Sequence, residues 1–514
     1  MKTCDILIVG SGYSGSLMAL VLSRLGYQVV VVDHCTHPRF AIGESSTPIA
    51  DTLLKKLAEQ YDLPEVQPLA GYATTKTAYP SVLVGKKRGF SYFQHHPDCD
   101  FSPGDHHQNE MLVAASSSDE FADSHWLRSD VDHFLVELFE KYGIQFYDQT
   151  KIHCLDKNLD GWKVSLLQNH DDIHLQARYL IDASGGQGAI LELLGIQRDN
   201  SPMKTCTSGL YAHFEGVERW SQPKFSRSNE HPFLCDDAAV HHLLQESWMW
   251  QLRFSNGLQS CGFSIPFSGN ADAPQNNQAI KSNACSSELL DSFFQRIENY
   301  PSLKKQFQSA TAVTPANKAF YRPRLQYLSS TGSGRGWSAL PNTVGFVDPL
   351  HSKGIAHSLS GITRLAAIFR NHQPGDTLDD QVQKLGQQIQ QEILLIDRLV
   401  ALCYQCLGNF TLFRNATFWY FAAATIFERN DFGGDDCQLG FLVQEGGSFE
   451  QALNSYEKRV DQLLAGLARA GDVSEKAVAE LNDYGRELLQ PFDHVGLLSP
   501  QIPNMYPFTA APKS

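Results

Sequence analysis

Residues 1–33 constrain the fold most, because they contain a complete strand–helix–strand pattern around a glycine-rich turn. Residues 5–9 form a short apolar run, residues 16–25 have apolar side chains at helical spacing, and residues 28–32 form a second apolar run. Two short apolar runs on either side of such a helix predict a buried parallel βαβ unit. The chain should therefore begin with an α/β fold.

The turn between the first strand and the helix has GxGxxG spacing. Gly10 permits the tight turn, Gly12 lets the backbone approach a pyrophosphate, and Gly15 lets the helix and the strand pack closely. The helix N-terminus attracts the phosphate charge. Asp33, at the end of the second strand, would accept hydrogen bonds from ribose hydroxyls. In this context the spacing predicts a dinucleotide site that also includes Ser14.

The dinucleotide is predicted to be FAD rather than NAD. The 514 residues contain no second GxGxxG after a strand, so one dinucleotide is bound and a long chain closes around it. This arrangement favours a permanently held flavin over an exchangeable nicotinamide. A buried strand at 177–183 leads into a second glycine turn, and we expect Asp182 and Gly185 to contact the cofactor.

Composition excludes several classes of partner. The 42 Lys and Arg residues are outnumbered by 56 Asp and Glu residues, and the net charge of −14 disfavours nucleic-acid binding. No apolar run of about 18 residues occurs, and no basic amphipathic stretch marks a membrane surface. The 11 cysteines are scattered with no secretory signal before them, so we expect a cytoplasmic protein. The CxxC pair, Cys403 and Cys406, should pack in the core.

The pattern along the chain predicts two regions. Strand-like alternation is strongest at 205–265, whereas helical spacing dominates from about 376 to 480. We expect an FAD-binding unit at 1–370, interrupted by an inserted substrate-side sheet at about 60–130 and 205–330. Residues 371–514 should form a helical cover over the substrate.

Four segments carry a resemblance to a known family. They are the glycine turn, the run Gly43-Glu44-Ser45 together with Arg128 and Asp132, residues 345–354 with the sequence GFVDPLHSKG, and the run Trp248-Met-Trp250. Through these segments the chain resembles the flavin-dependent halogenases, a branch of the flavin monooxygenase superfamily. The resemblance implies a Rossmann-like FAD-binding fold of the para-hydroxybenzoate hydroxylase type, with an inserted β-sheet and a helical C-terminal region.

Residues 345–354 match the FxxPxxSxG pattern of that family. The match implies that Asp348 and Pro349 lie against the cofactor and that the amides of Lys353 and Gly354 hold a halide ion. Backbone donors in a nest suit a weakly hydrated anion. The resemblance assigns further cofactor contacts to Gly43, Glu44, Ser45 and Arg128.

The resemblance also implies a reaction site. Trp248 and Trp250 are similar to the WxWxIP motif, whose tryptophans keep the substrate away from the flavin, although Arg253 replaces the proline. Lys87 fits the catalytic lysine of the family best, with Lys86 as the alternative. The competing interpretation is a solvated basic turn before a strand.

His351 occupies the position where tryptophan halogenases have a glutamate. A histidine there could act as a base near neutral pH or could simply pack. Free tryptophan is therefore not the expected substrate.

These segments predict an FAD-dependent halogenase. It would use FADH₂ from a separate flavin reductase, O₂, and chloride or bromide to halogenate an electron-rich substrate, either a small aromatic molecule or a carrier-bound one. Lys87 would position hypohalous acid for attack. Two alternatives stay open: a flavin monooxygenase that hydroxylates an aromatic group, and a flavin-binding interaction protein without catalysis.

One loop is rich in histidine. His95, His96, His106 and His107 lie among aspartates without the spacing of a metal site on regular structure. We expect a solvated loop with no metal, placed to act as a lid.

Overall fold

Two large β-sheets and a set of helices form the described part of the computed structural model, which comprises residues 2–226, 228–267, 284–429, 440–442, 447–470 and 474–509. Within these ranges, no helix combines the length and the apolar character needed to cross a bilayer.

The first sheet, here called the nucleotide sheet, contains the predicted βαβ unit. Its strands are β1 (Lys2–Val9), β2 (Val29–Val32), β7 (Gln145–Tyr147), β8 (Thr150–Asn158), β9 (Gly161–Gln168), β10 (Asp171–Asp182), β19 (Ser333–Gly334) and β20 (Trp337–Ala339). Five strands run parallel in the order β20-β10-β1-β2-β7, and β8, β9 and β19 join through antiparallel pairs. The expected Rossmann-like fold is confirmed.

The register of the βαβ unit places its functional turn at one sheet edge. Val9 pairs with Val32, and the amide of Gly10 donates to the carbonyl of Val32 at 2.8 Å. The last four residues of β1 and all of β2 are buried, as the continuous apolar runs of a parallel sheet require. The glycine turn and Asp33 therefore lie side by side at the carboxyl ends of β1 and β2.

The second sheet, here called the substrate sheet, takes its strands from residues 89–114, 207–322 and 505–506. Its strands are β4 (Gly89–Gln94), β5 (Glu110–Ala114), β11 (Thr207–Glu215), β12 (Ala239–Leu243), β13 (Trp248–Arg253), β14 (Gln259–Pro266), β15 (Ala284–Ser286), β16 (Thr311–Thr314), β17 (Ala319–Arg322) and β22 (Met505–Tyr506). Their order is β15-β17-β11-β14-β13-β12-β4-β5-β22, with β16 paired to β11. Two small sheets pair β3 (Val84–Lys87) with β6 (Asp123–Trp126), and β18 (Tyr327–Leu328) with β21 (Gly345–Phe346).

The substrate sheet separates two hydrophobic cores. Along β13, Trp248, Trp250 and Leu252 face the core shared with the nucleotide sheet, whereas Met249 faces a second core on the far side. This alternation is the period of two of a β-strand. It fixes which side chains of the sheet can reach the cofactor side.

The helices cover the sheets and fill the C-terminal region. They are α1 (Tyr13–Arg24), α2 (Pro48–Gln60), α3 (Tyr72–Ala78), α4 (Arg128–Lys141), α5 (Ala189–Leu193), α6 (Ser287–Ile297), α7 (Pro301–Gln306), α8 (Pro341–Val344), α9 (Gly354–Asn371), α10 (Asp376–Gln405), α11 (Phe410–Arg429), α12 (Ser448–Ala470) and α13 (Glu475–Leu489). The predicted helical C-terminal region is confirmed: α10 packs against α9 and α11. The chain then returns to the substrate sheet, because β22 pairs with β5.

Candidate functional site

A cavity of about 440 Å³ lies between the two sheets. Its lining includes the glycine turn, Asp33, the loop at 41–45, Trp248, Trp250 and the turn before α9. The cavity thus joins the predicted dinucleotide site to the cofactor-facing side of the substrate sheet.

The three glycines of the turn have different roles. Gly10 has a φ of +107°, and an added Cβ would lie 2.4 Å from the carbonyl oxygen of Ala183. An added Cβ at Gly15 would lie 2.0 Å from the carbonyl oxygen of Gly10. At Gly12 the nearest atom is 3.5 Å away, on the side chain of Arg128. Gly10 and Gly15 are therefore required for close backbone contact, whereas Gly12 leaves room beside the cavity.

Asp33 is held in its ionised form. Its carboxylate accepts hydrogen bonds from the amide and the hydroxyl of Ser11 at 2.7 and 2.8 Å, from the amide of Cys35 at 3.0 Å and from Arg39 at 2.9 Å. Burial raises the pKa of Asp33, but hydrogen bonding to His34 and the charge of Arg39 outweigh it, so the pKa is lowered. The negative charge expected for ribose recognition is present at this edge.

Arg128 clamps the loop at 41–45 onto the βαβ unit. Its guanidinium donates to both carboxylate oxygens of Asp132, at 2.8 and 2.7 Å, and to the carbonyls of Ile42 and Gly43, at 3.0 and 3.2 Å. It also lies 4.6 Å from the ring centroid of Tyr13. A buried, bidentate pair of this kind fixes geometry because both partners are planar.

Two buried polar atoms in the loop at 41–45 lack partners. Oε1 of Glu44 is 2.8 Å from Nε2 of His213, whereas Oε2 of Glu44 and Oγ of Ser45 have no hydrogen bond to any residue that the structure describes. Both residues line the cavity. Leaving such atoms unpaired costs free energy. FAD, which carries both donors and acceptors, fits this lining, and Gly10, Gly12, Ser14 and Gly185 would lie beside it.

The turn before α9 has the backbone of an anion nest. His351 and Ser352 have left-handed φ values of 68° and 55°, and Lys353 returns to −79°. This succession turns consecutive amides towards one side, and α9 adds the amides of its first turn from Gly354. An added Cβ at Gly354 would meet no heavy atom within 4 Å. Lys353 and Gly354 both line the cavity, as does Pro349.

The side chain of Lys353 braces this turn. Its ammonium donates to the carbonyls of Asp348 and Leu350, at 2.6 and 2.9 Å. Burial lowers the pKa of Lys353 to about 8, against the charge of Asp348, which raises it. The lysine therefore stabilises the turn from within.

Tyr404 was missed by the sequence reasoning. Its hydroxyl accepts a hydrogen bond from Nε1 of Trp248 at 2.7 Å and lies 2.9 Å from Oδ2 of Asp348 and 2.7 Å from Oγ of Ser264. Tyr404 belongs to α10, and no local motif marks it. The hydroxyl joins a tryptophan of the substrate sheet to the turn before α9.

The two candidate lysines lie in different surroundings. Lys87 is fully buried, donates to the carbonyl of Ser46 at 2.5 Å and lies 4.3 Å from the ring centroid of Phe90. Lys86 forms an ion pair at the surface with Asp119 at 2.5 Å. Adjacent residues of a strand face opposite sides, so only one of the two points inward.

His241 is a second residue that the sequence reasoning missed. Its ring lines the cavity and lies 4.5 Å from Tyr92 and 5.1 Å from Trp248, measured between centroids. Burial lowers the pKa of His241 to about 3, and the charge of Lys87 contributes. Its pairing with Trp250 across the strands was a sequence signal for it, because Trp250 was already expected at the cofactor side. The adjacent His242 faces the second core, where its ring contacts Phe93 and Trp220.

His351 lies outside the cavity lining. Its Nδ1 is 3.3 Å from the hydroxyl of Tyr92, its Nε2 is 3.5 Å from Sγ of Cys403, and its ring stacks on Tyr420. Burial lowers the pKa of His351 well below 6.5, so the ring is neutral. Cys403 and Cys406 lie buried as free thiols, as predicted.

Asp182 also lies outside the lining. Its carboxylate accepts from the hydroxyl of Ser184 at 2.6 Å and from the amides of Ile190 and Leu191 at 2.7 and 3.1 Å. Asp182 therefore caps α5 and holds the turn that carries Gly185, whereas a direct cofactor contact was expected.

The expectation of a solvated histidine loop is wrong for two of its members. His95 is 2% exposed, and its Nε2 lies 2.9 Å from Nδ1 of His242. His107 is also buried and contacts Glu110. His95 thus contacts a strand that is distant in sequence, whereas His107 contacts a residue three positions along the chain.

Comparison with known proteins reveals related enzymes, although no family model matches the chain. The chain is 25% identical over 510 residues to the monodechloroaminopyrrolnitrin halogenase PrnC of Pseudomonas fluorescens, covering 95% of this chain and 86% of that protein. It is also 25% identical over 374 residues to a 1H-pyrrole-2-carbonyl-(peptidyl-carrier protein) brominase of Pseudoalteromonas luteoviolacea, covering 71% of this chain and 77% of the brominase.

A solved structure shows the same fold. The crystal structure of halogenase PltM in complex with phloroglucinol and FAD superposes with a TM-score of 0.81 and 23% sequence identity. The superposition covers 99% of this chain and 100% of PltM. The two sheets and the C-terminal helices thus form one known architecture.

Proposed function

We propose that this chain, which belongs to the flavin-dependent halogenases, replaces a hydrogen on an electron-rich organic substrate with chlorine or bromine. One observation carries the proposal. One cavity is lined by the glycine turn, the anion nest before α9 and His241, whereas Lys87 is buried outside its lining. Cofactor, halide and substrate would therefore share one connected space.

FAD, when bound and reduced, supplies the two electrons that allow O₂ to oxidise the halide. In the overall reaction, one substrate C–H group, one halide ion, reduced FAD, O₂ and one proton yield the C–halogen product, FAD and two water molecules. The glycine turn, Asp33 and the loop at 41–45 would bind and orient the cofactor.

The amides of Lys353 and Gly354 would hold the halide. Their support comes from the left-handed backbone at His351 and Ser352, which turns the donors to one side. The ammonium of Lys353 keeps the turn in place through its bonds to two carbonyls. The halide site is thereby preorganised before the halide arrives.

Lys87 would hold hypohalous acid beside the substrate. Its ammonium is anchored on the carbonyl of Ser46, and the neutral ring of His241 would orient the substrate next to it. Trp248 and Trp250 line the same cavity, where they would keep water and substrate away from the cofactor. We assign His351 a positioning role through Tyr92, because its ring does not face the cavity.

The substrate would be either a small aromatic molecule or a carrier-bound ring. The name of one relative specifies monodechloroaminopyrrolnitrin, and that of another specifies a pyrrole on a peptidyl carrier protein. A separate flavin reductase would supply FADH₂, since the sequence has one dinucleotide fingerprint. The ten cysteines in the described ranges are free thiols, which suits the reducing cytoplasm.

The test is bromination in the presence of reduced FAD, O₂ and bromide. Phenols, pyrroles, indoles and a carrier-bound pyrrole would be supplied, and the products would be read by mass spectrometry for the bromine isotope pattern. A scavenger of free hypobromite controls for reaction in bulk solution. We expect a brominated product that survives the scavenger. Hydroxylated product without any bromination would instead identify a monooxygenase.

A further inference from the structure

Three ionisable side chains meet at the end of the substrate sheet that lies away from Lys87. Glu110 is the first residue of β5 and pairs with Phe93 near the end of β4, whereas Lys87 precedes β4. His107 and His231 approach Glu110 from two different loops. Here these three residues are called the His–Glu cluster, and none of them lines the cavity described above.

The cluster is compact and withdrawn from solvent. Oε1 of Glu110 is 2.7 Å from Nδ1 of His107 and 3.2 Å from Nε2 of His231. The side chains of Glu110, His231 and His107 are 0%, 1% and 7% exposed. Their ligand atoms all lie within 4.8 Å of one another.

Hydrogen bonds within the described ranges do not pair every polar atom of this cluster. A neutral imidazole has one N–H, yet both ring nitrogens of His107 face carboxylates, because Nε2 lies 2.9 Å from Oε2 of Glu230. Oε2 of Glu110 and Nδ1 of His231 are buried and have no hydrogen-bond partner in the described ranges. A fully buried carboxylate with an unpartnered oxygen requires a compensating positive charge.

A divalent cation bound by Nδ1 of His107, Nε2 of His231 and the carboxylate of Glu110 would supply that positive charge. Two imidazoles and one carboxylate are a common ligand set for Zn²⁺, with bonds of about 2.0–2.2 Å. Ligand atoms around such a tetrahedral ion lie roughly 3.4 Å apart, so the observed 2.7 and 3.2 Å separations need only small shifts. Glu230, whose side chain is 66% exposed, lies 2.9 Å from Nε2 of His107, where it would orient the ring of this ligand from the side away from the ion.

We propose that His107, Glu110 and His231 bind a divalent transition-metal cation of the Zn²⁺ class, at a structural site separate from the flavin cavity. The ion would join the loop before β5 to the segment that carries His231. It would also support the end of the chain, because the side chain of Asn504 donates to the carbonyl of His107 at 2.6 Å, directly before β22.

The test measures metal binding by the full-length protein with FAD bound and without a histidine tag. The protein is stripped with a chelator and titrated with Zn²⁺ against a chromophoric competitor. We expect one ion per chain and an upward shift of Tm on binding, because a ligand of the folded state stabilises it. Loss of a single outer contact to a metal ligand costs 10–100-fold in affinity, so His231→Ala should weaken binding by at least about 100-fold.

His106→Ala is the matched control, because His106 is exposed, adjoins His107 and lies outside the cluster. Glu110→Gln provides a near-isosteric second variant if His231→Ala fails to fold, and it should lose the ion while retaining the flavin. The proposal is overturned if the stripped protein takes up no stoichiometric Zn²⁺, or if His231→Ala and Glu110→Gln bind it as tightly as the original chain. In that case the cluster is held together by hydrogen bonds alone.

Discussion

The hydroxyl of Tyr404 ties together two residues that the proposed reaction needs. It accepts from Trp248 and lies within hydrogen-bond distance of Asp348, at 2.7 and 2.9 Å. Since the three groups are enclosed, removing the hydroxyl leaves a buried indole N–H unpaired, at a cost of about 1–3 kcal/mol. Tyr404 is therefore a positioning residue for the tryptophan and the turn before α9.

Tyr404→Phe should lower the yield of halogenated product per reduced FAD by about tenfold and increase hydrogen peroxide release, because Trp248 loses its anchor. Both products are measured in one assay. Tyr456→Phe is the control, because the hydroxyl of Tyr456 is buried without a hydrogen-bond partner in the described ranges. Equal coupling in the two variants would contradict a positioning role for Tyr404.

A substitution at Gly354 tests the proposed halide site, again at the scale of a single residue. An added methyl group would point into open space, so the fold should tolerate Gly354→Ala, and Tm should stay unchanged. The methyl group would occupy part of the anion nest and raise the KM for bromide by about tenfold or more. Gly408→Ala, where an added Cβ also meets nothing within 4 Å, should change neither quantity. An unaltered KM in Gly354→Ala would place the halide elsewhere.

At the scale of elements, two glycines of the βαβ unit allow cofactor binding and folding to be tested separately. Gly15→Ala forces a Cβ to within 2.0 Å of the carbonyl oxygen of Gly10, whereas Gly12→Ala meets only ordinary contacts at 3.5 Å. Gly12→Ala should therefore keep its Tm and weaken FAD binding by about tenfold or more, equivalent to about 1.4 kcal/mol. Gly15→Ala should lower the free energy of unfolding by about 1–3 kcal/mol.

Fluorescence titration with FAD and thermal unfolding of the FAD-free protein distinguish these two effects. A Gly12→Ala protein that binds FAD normally would show that the cofactor does not approach this turn.

At this scale, some features of the fold and the site can be predicted from the sequence and others cannot. The βαβ unit and the turn at 345–354 are each formed by residues that are close together in the chain. The spacing of their residues therefore predicts their geometry, and the Rossmann-like fold was predicted from them. Tyr404 and His241 could not be predicted as site residues, because α10 and β12 reach the cavity only through tertiary contacts. The contacts of Asp182 could not be predicted for a related reason, since the helix that it caps lies beyond the motif.

At the scale of the whole molecule, buried histidines should make the fold sensitive to acid. Burial lowers the pKa values of His95, His125 and His241 to about 3, and those of His242 and His351 well below 6.5. The unfolded chain therefore binds more protons than the folded one between about pH 6.5 and 3. Stability is complete above pH 6.5 and falls as the pH drops through this window.

Urea unfolding measured at several pH values checks this expectation. Each histidine lowers the free energy of unfolding by up to about 1.4 kcal/mol per pH unit within the window. His125→Asn should flatten the pH dependence, because asparagine does not titrate, whereas His96→Asn at the exposed neighbour of His95 should not. A slope that is identical in both variants would contradict the assignment of His125 as a neutral buried ring.

The central claim is that Lys87, which is buried outside the lining of the flavin cavity, carries the halogenation step. The most direct measurement is bromination by Lys87→Met and Lys86→Met, with FADH₂ oxidation followed in parallel. Methionine is unbranched, only one atom shorter than lysine, and suits a buried site. We predict that Lys87→Met oxidises FADH₂ but forms no brominated product, and that Lys86→Met brominates normally. Bromination retained in Lys87→Met, or lost only in Lys86→Met, would contradict the account.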